Sequence, residues 1–227
     1  MALVLAESSI ELVPNEIVGH PSITSMAKRK GKDPHGLVLD QSYHHSALLK
    51  LPGSGRGRGR PDIAHSTLLA ALGSPLNLDG GLECYVHTID DHVITIDRGA
   101  RLPKNTDRFS SLLEQLYLES VVPRSGKPLM SIRRQSLKKL LDGISADLVV
   151  ALTTRGRPME MREVAVELQR ARRPAVLVGG FPVGHFSPQT LQLSSERYRI
   201  DRRKLEASTI VSRAIYDYER SIGLRRF

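Results

Sequence analysis

Two clusters of cations stand at the start of apolar runs with helical spacing. The first is Arg58-Gly-Arg-Pro-Asp62, followed by Ile63, Leu68, Leu69 and Leu72. Pro61 fits the first turn of a helix, and Gly73 is its stop. Arg58, Arg60 and Asp62 therefore sit where a loop enters a helix. Such an entrance offers unpaired N–H groups and positive dipole potential, which suits a phosphate. The second cluster is Arg101, Lys104 and Arg108. It leads into an apolar face of Phe109, Leu112, Leu113 and Leu116, with Thr106 as the expected cap. Cations at a helix N-terminus oppose its dipole. Either something else supplies negative charge there, or these three are ordinary solvated surface. The third feature is a pair of small-residue stretches, Thr153-Thr-Arg-Gly156 and Gly179-Gly-Phe-Pro-Val-Gly184. They leave room for a ligand lined by backbone, although a Gly-Gly pair is as often just a tight turn.

These residues need elements to hold them. Leu148-Val-Val-Ala-Leu152 and Ala175-Val-Leu-Val178 are continuous apolar runs, the pattern of strands buried on both faces. Residues 158 to 170 between them are helical in propensity, so the three form a βαβ unit of a parallel sheet. Ligands of open α/β sheets bind outside the carboxyl ends of the strands. Both small-residue stretches fall there. Two β-branched runs, 84 to 89 and 93 to 96, flank Asp90-Asp91-His92 and predict a hairpin. Residues 2 to 6 read as a buried first strand, and 8 to 18 as the start of a short helix capped by Ser8 or Ser9. Pro14 is awkward in its interior. Residues 19 to 60 are rich in Gly, Pro, Lys, Arg and His. The first half of the Gly-Arg repeat at their end reads as a flexible basic linker. Residues 135 to 142 predict a further helix. Ala207, Val211, Ala214, Tyr218 and Ile222 make an apolar stripe, flanked by Ile210 and Ile215 and closed by Gly223. The stripe serves either packing on the sheet or a dimer interface.

Composition sets the class. Apolar residues at 40% and charged residues at 25% give a globular balance. No apolar run approaches the roughly 20 residues of a spanning helix, so no membrane role is expected. The first residues lack a basic leader and read as a strand, not a signal peptide. A single cysteine, Cys84, excludes an intramolecular disulfide and a Cys-cluster zinc site. A reducing compartment, the cytoplasm, is the expectation. Lys and Arg number 33 against 24 Asp and Glu, a net charge of +9 that attracts polyanions. Aromatics are 4% with no Trp, so phosphate contacts rather than base stacking should dominate.

Four stretches, in order, resemble one family. They are Arg58-Gly-Arg-Pro-Asp-Ile63 with His65 and Ser74-Pro-Leu-Asn77; Tyr85-Val-His-Thr88 with Asp90-Asp91; Arg101-Leu-Pro-Lys-Asn105 through Arg108-Phe109; and Gly179-Gly-Phe-Pro-Val-Gly184. The set resembles the archaeal and eukaryotic pseudouridine N1-specific rRNA methyltransferases, a ribosome-biogenesis family of SPOUT enzymes. The resemblance implies an α/β fold with a SPOUT-type parallel sheet, a C-terminal trefoil knot and a small inserted hairpin and helix extension. True knots are almost absent from proteins, so periodicity alone does not suggest one. It implies a single SPOUT domain over 1–227, with a basic insertion at about 19–110 carrying RNA-binding loops. A homodimer, S-adenosylmethionine as methyl donor and no metal are also implied. The partners would be small-subunit rRNA and ribosomal assembly proteins.

Carried over position by position, the cofactor pocket comprises Thr153, Gly179, Gly180, Gly184 and the segment Ile200, Asp201, Arg202, Arg203, Lys204 and Leu205. That last segment is more charged than the family's polar-small pattern, so backbone contacts are expected there. RNA contacts fall on Arg60, Arg101, Lys104 and Arg108. The family more often has Arg at the place of Lys104; Lys keeps the charge and loses the bidentate fork. Asp62 and Arg60 stand nearest the chemistry. Asp62 pairs with a nearby Arg and orders the loop, or accepts a proton. Asp90 and Asp91 are further carboxylate candidates, and His65 and His87 are imidazole candidates or structural histidines. An RNA-binding assembly factor that transfers no methyl group would use the same cationic entrances. Only the enzyme needs the pocket at Gly179 to Gly184.

Overall fold

A computed structural model describes residues 1–224 of the chain. Eight strands form one sheet. They are β1 (Ala2–Ser8), β2 (Glu83–Thr88), β3 (His92–Ile96), β4 (Val121–Val122), β5 (Met130–Arg134), β6 (Leu148–Pro158), β7 (Pro174–Gly179) and β8 (Glu196–Arg199), in the order β4-β5-β3-β2-β1-β7-β6-β8. The five from β2 to β8 are parallel, and β3, β4 and β5 add an antiparallel edge. The expected βαβ unit is present: β6 pairs β7 from Leu148↔Pro174 to Leu152↔Val178, across α7 (Met161–Arg170). The expected hairpin is β2 with β3, in register from Cys84↔Ile96 to His87↔Val93.

Strand alternation builds two cores. Leu3, Leu5, Val86, Val150, Val176 and Val178 face one side. There they meet α3 (Pro61–Leu72), α5 (Thr106–Glu119), α7 and α9 (Ala207–Ser221) through Leu68, Phe109, Leu113, Val164 and Val211. Ala2, Val4, Ala6, Ala175 and Leu177 face the other side, against Leu137, Leu140 and Leu141 of α6 (Leu137–Gly143) and Phe186. Two short helices, α4 (Pro75–Leu78) and α8 (Pro188–Gln192), complete the set. The stripe on α9 is used inside the chain: Ala207, Val211, Ala214 and Tyr218 are buried, with α9 against α3 and α7. Among the described residues no helix is long and apolar enough to cross a membrane.

Three local expectations are corrected. Residues 8 to 18 hold no α-helix, only a bridge from Leu12 to Val38 and a 3-10 turn, Asn15–Ile17, after Pro14. Their backbone is taken by distant partners instead: Ser9 N donates to Gly180 O at 2.9 Å, and Arg60 N donates to Ser9 O at 2.9 Å. The cap of α5 is Asn105, whose Oδ1 accepts from Arg108 N at 3.0 Å; Thr106 is one residue inside. The Gly-Arg repeat is not a free linker. Residues 19 to 60 fold as α1 (Pro21–Lys30), α2 (Gln41–Leu48) and short 3-10 turns around a core of Ile17, Ile23, Met26, Leu37, Leu39 and Leu48. Asp40 caps α2 by accepting from Ser42 N at 2.8 Å. Buried Glu114 of α5 accepts from Lys30 at 2.8 Å and Lys32 at 2.6 Å, which locks this layer to the main body. Arg58 Nε donates to Glu11 Oε1 at 2.8 Å. Gly59, at φ +63°, accepts from Gln41 N at 2.8 Å through its carbonyl oxygen; a Cβ there would lie 3.1 Å from Leu39 Cγ and 3.2 Å from Gln41 N. The segment 61–110 belongs to the main body, giving it α3, β2 and β3.

Candidate functional site

The carboxyl ends of β6, β7 and β8 open into a cavity of about 740 Å³. Chain polarity explains it. Parallel strands release their loops at the same edge, and three segments here leave space between them: a stretch of β6 where its register on β8 slips, and the loops after β7 and β8. Leu152 to Thr154 come from β6, Gly179 and Phe181 to Phe186 follow β7, and Arg199 to Ala207 join β8 to α9. Arg60 and Ile63, at the start of α3, close one side, with Arg56 beside them. Thr153, Gly179, Gly184, Ile200, Asp201, Arg202, Arg203, Lys204 and Leu205 all line it.

Gly180 is not among the lining residues. Its absent side chain faces Ser8, not the cavity: a Cβ would stand 2.1 Å from Ser8 Oγ and 2.8 Å from Ser8 Cα. The reason is a close crossing of two strand ends. Gly180 N donates to Ala6 O at 3.0 Å, and Gly180 O accepts from Ser9 N at 2.9 Å. Glycine there lets β1 and the loop after β7 touch.

Electrostatics fix the loops. Asp201 accepts from Arg203 N at 2.9 Å and Arg203 Nε at 3.1 Å, and the Arg203 guanidinium holds its carboxyl well below the usual range. Lys204 Nζ donates to Pro182 O, tying the loop after β8 to the loop after β7. Glu7 accepts from Ser187 N at 3.0 and 3.2 Å, anchoring the loop after β7 at its far end. Phe181 and Phe186 meet edge to face, centroids 5.6 Å apart. At the base of β8, burial, followed by the hydrogen bond to Glu167, pushes the Tyr198 phenol up to about 12. With its hydroxyl donating to Glu167 and accepting from Arg157 at 3.3 Å, Tyr198 is a structural pin beside the cavity.

At the α3 entrance Arg60 grips Asp62 with a bidentate fork, Nε to Oδ1 at 2.8 Å and Nη2 to Oδ2 at 2.7 Å. Asp62 thus stands between two lining residues, Arg60 and Ile63. His65 is structural. It is buried and stacked on Phe109 at 4.6 Å. Its Nε2 donates to Pro103 O at 2.6 Å, and its Nδ1 faces Thr106 Oγ1 at 3.2 Å. It therefore straps the loop before α5 onto α3. That strap brings the two cationic entrances to the same side of the sheet. Arg101, Lys104 and Arg108 are exposed there and have no side-chain partner among the described residues. His87, Asp90 and Asp91 lie elsewhere, at the β2–β3 turn. His87 Nδ1 accepts from Glu7 N at 3.4 Å, so Nε2 donates to Asp91 at 3.0 Å. None of the three lines the cavity.

Sequence reading missed Arg56, Leu152, the Phe181–Phe186 pair, Arg199 and Ile210 as lining residues. Phe181 carried a usable signal, since it sits within the Gly179 to Gly184 stretch. Arg56 was masked by the linker reading. Arg199 and Ile210 have no local pattern that sets them apart.

The fold and the cavity define the class: an α/β protein, mostly parallel in its sheet, that takes a small ligand in a loop-lined site at the carboxyl edge. The family model described as EMG1/NEP1 methyltransferase matches residues 3–219. The chain is 42% identical over 217 residues to the ribosomal RNA small subunit methyltransferase Nep1 of Thermococcus onnurineus, covering 96% of this chain and 97% of that one. It is 42% identical over 225 residues to the Nep1 of Pyrobaculum neutrophilum, covering 99% and 100%. The crystal structure of Archaeoglobus fulgidus Nep1 bound to S-adenosylhomocysteine matches with a TM-score of 0.86 at 33% identity, over 97% of this chain and 98% of that one. The chain belongs to the EMG1/NEP1 methyltransferase family, the family its four motif stretches resemble.

Proposed function

We propose that this chain transfers a methyl group from S-adenosylmethionine to N1 of a pseudouridine in small-subunit ribosomal RNA. The observation that carries this is one cavity, walled by Leu152 to Thr154 within β6 and by the loops after β7 and β8, that opens beside the cationic entrance of α3. The residues fit the donor. The volume lies within the roughly 300–1,000 Å³ usual for small-molecule sites. Backbone loops, Phe181, Phe186, Leu152 and Ile210 line it, a mixture that suits a flat heterocycle with polar edges. The names of the relatives and the ligand of the Archaeoglobus structure support the same reading. The trefoil knot belongs to the same proposal, because a knot would bring just these segments together.

When bound, the donor supplies an electrophilic methyl on sulfur. The chain's own work is to hold and orient. Thr153, Gly179, Gly184 and the segment Ile200 to Leu205 hold the donor. Arg60, kept in one rotamer by Asp62, meets the RNA beside it. Fixing the two reactants in line provides much of the acceleration. The acceptor nitrogen must also lose its proton. Asp62, the only one of the five candidate bases flanked by lining residues, accepts it or remains the partner of Arg60. Arg101, Lys104 and Arg108 extend the RNA path to the start of α5. A homodimer is part of the proposal, supported by the outward, exposed Tyr216 and Ile222 near the end of α9.

The test uses labelled donor with two synthetic rRNA hairpins, one with pseudouridine and one with uridine at the target. Label should enter the first alone. Equal labelling of both would overturn the N1 assignment. RNA binding with no label in either would favour the assembly-factor reading.

A further inference from the structure

The cavity carries more positive charge than its donor can use. Six cationic side chains line it, Arg56, Arg60, Arg199, Arg202, Arg203 and Lys204, against the carboxylates of Asp201 and Glu206. Three of the six are engaged. Arg60 holds Asp62, Arg203 holds Asp201, and Lys204 donates to Pro182 O. Arg56, Arg199 and Arg202 have no side-chain partner among the described residues. They come from two separate stretches, the repeat before α3 and the segment after β8, yet they share one opening. The N-terminus of α9 reaches the same opening through Ala207, and no side chain caps it. Its open N–H groups and dipole add further positive potential.

S-adenosylmethionine does not answer this charge. Its sulfonium and ammonium outnumber its one carboxylate, so its net charge is positive. Three unpaired guanidiniums beside a cation repel it and one another unless an anion arrives from outside. The guanidinium also matches phosphate geometry with paired N–H groups. We propose that Arg56, Arg199 and Arg202 bind backbone phosphates of the nucleotides flanking the methylated one, so that the RNA strand runs across the mouth of the donor cavity. This rests on the RNA-methylating reading of the site. It adds three contacts to the path through Arg60, Arg101, Lys104 and Arg108. It also assigns a role to the Gly-Arg repeat, which holds Arg56 at the opening: Gly57 packs toward Val183, with a Cβ position 3.7 Å from Val183 Cγ2.

The experiment is a salt titration of binding to the pseudouridine hairpin, followed by anisotropy, for Arg56→Ala, Arg199→Ala and Arg202→Ala. Each variant should reduce the slope of log affinity against log salt by about 0.7, the value for one phosphate contact on an unpaired strand. The matching Lys variants should recover the slope, because charge alone sets it. Affinity for S-adenosylhomocysteine, titrated without RNA, should stay within about twofold of the parent in Arg56→Ala and Arg199→Ala, which also certifies their fold; Arg202 lies in the donor-holding segment, so for Arg202→Ala the fold is certified by circular dichroism. Parental slopes in all three Ala variants would overturn the proposal. So would a loss of S-adenosylhomocysteine affinity with the slope unchanged, which would make these arginines carboxylate ligands. The readout is binding, so it decides the matter whether or not the parent transfers a methyl group. A parent that binds but leaves pseudouridine unmethylated would defeat the function and leave the RNA contacts standing.

Discussion

Replacing Gly180 by alanine tests which way this part of the cofactor loop faces. The added Cβ would lie 2.1 Å from Ser8 Oγ, 2.7 Å from Ser8 Cβ and 2.8 Å from Ser8 Cα. A rotamer change cannot relieve a contact with Cα. Ser8 is fully buried, and its Oγ donates to Leu5 O at 3.0 Å. Nor can the loop retreat freely, because its bonds to Ala6 O and from Ser9 N would stretch. Overpacking costs about 1–3 kcal/mol, and each hydrogen bond lost costs about 0.5–1.5 kcal/mol net. Together these give about 2–4 kcal/mol. Domains have roughly 5–15 kcal/mol in all, so the variant should fold. At about 2–4 °C per kcal/mol for a chain of this size, Tm should fall by about 4–16 °C in scanning calorimetry. Ser8→Gly removes two of the three contacts. The double variant should therefore recover part of the loss, with a coupling of about 0.5–3 kcal/mol. Gly184→Ala is the contrast: its φ is +98° and a Cβ there meets nothing within 4 Å, so its cost is backbone strain alone. An unchanged Tm in Gly180→Ala, with donor affinity lost, would refute the argument and turn Gly180 toward the cavity.

Two further outcomes are expected. Glu7→Ala should cost about 1–2 kcal/mol, below the usual 1.5–3 for a charged hydrogen bond because the site is only half-buried, and should weaken S-adenosylhomocysteine binding several-fold; Glu7→Gln, which keeps an acceptor for Ser187 N, should lose less. Parental stability and affinity in Glu7→Ala would show that the carboxylate anchors nothing. Stability should also fall with acid, through His44. Burial lowers its pKa from 6.5, and its Nδ1 accepts from Asp40 N at 3.1 Å, so a proton there would set two donors face to face. Above pH 6.5 the imidazole is neutral in both states. As pH drops below that, the unfolded chain takes a proton that the fold resists, and stability falls by up to about 1.4 kcal/mol per pH unit. Urea unfolding at pH 7.5 and 5.5 should show a smaller loss in His44→Leu than in the parent, and equal losses would clear His44.

Elements were legible where burial left a periodic mark. Leu148 to Leu152 and Ala175 to Val178 are apolar without a break because both faces are covered. The loops after them could then be placed at the ligand edge. The edge strand β8 left no such mark: it pairs only with β6, and of Glu196–Arg199 only Tyr198 is buried. Strand β6 runs on to Pro158 through the polar Thr153 to Gly156, which read as loop; its register on β8 slips there, with Tyr198 opposite both Leu152 and Arg157. The layer at 19–60 was illegible for a related reason. Its core is gathered in ones and twos from α1, α2 and the turns between them, so no single stretch shows a face. Gly180 read as a ligand contact because its partner, Ser8, lies at the other end of the chain.

The pairing of Arg60 with Asp62 separates two roles that sequence left fused. Both side chains are a third to a half exposed, at 32% and 47%. Exposed ion pairs contribute only about 0–1 kcal/mol to stability, so the pair does little for the fold. Its effect is on direction. A lone arginine samples many rotamers and loses that freedom on meeting RNA. Asp62 imposes most of the restriction beforehand. The fork uses one N–H each of Nε and Nη2. Of the five guanidinium N–H groups, three remain, including both on Nη1, and an N–H edge stays free for a phosphate or base. The same geometry limits Asp62 as a base, since each of its oxygens already accepts from a permanent cation. Proton removal by Asp62 would have to work against the Arg60 fork, whereas orientation of Arg60 needs only the bonds already made.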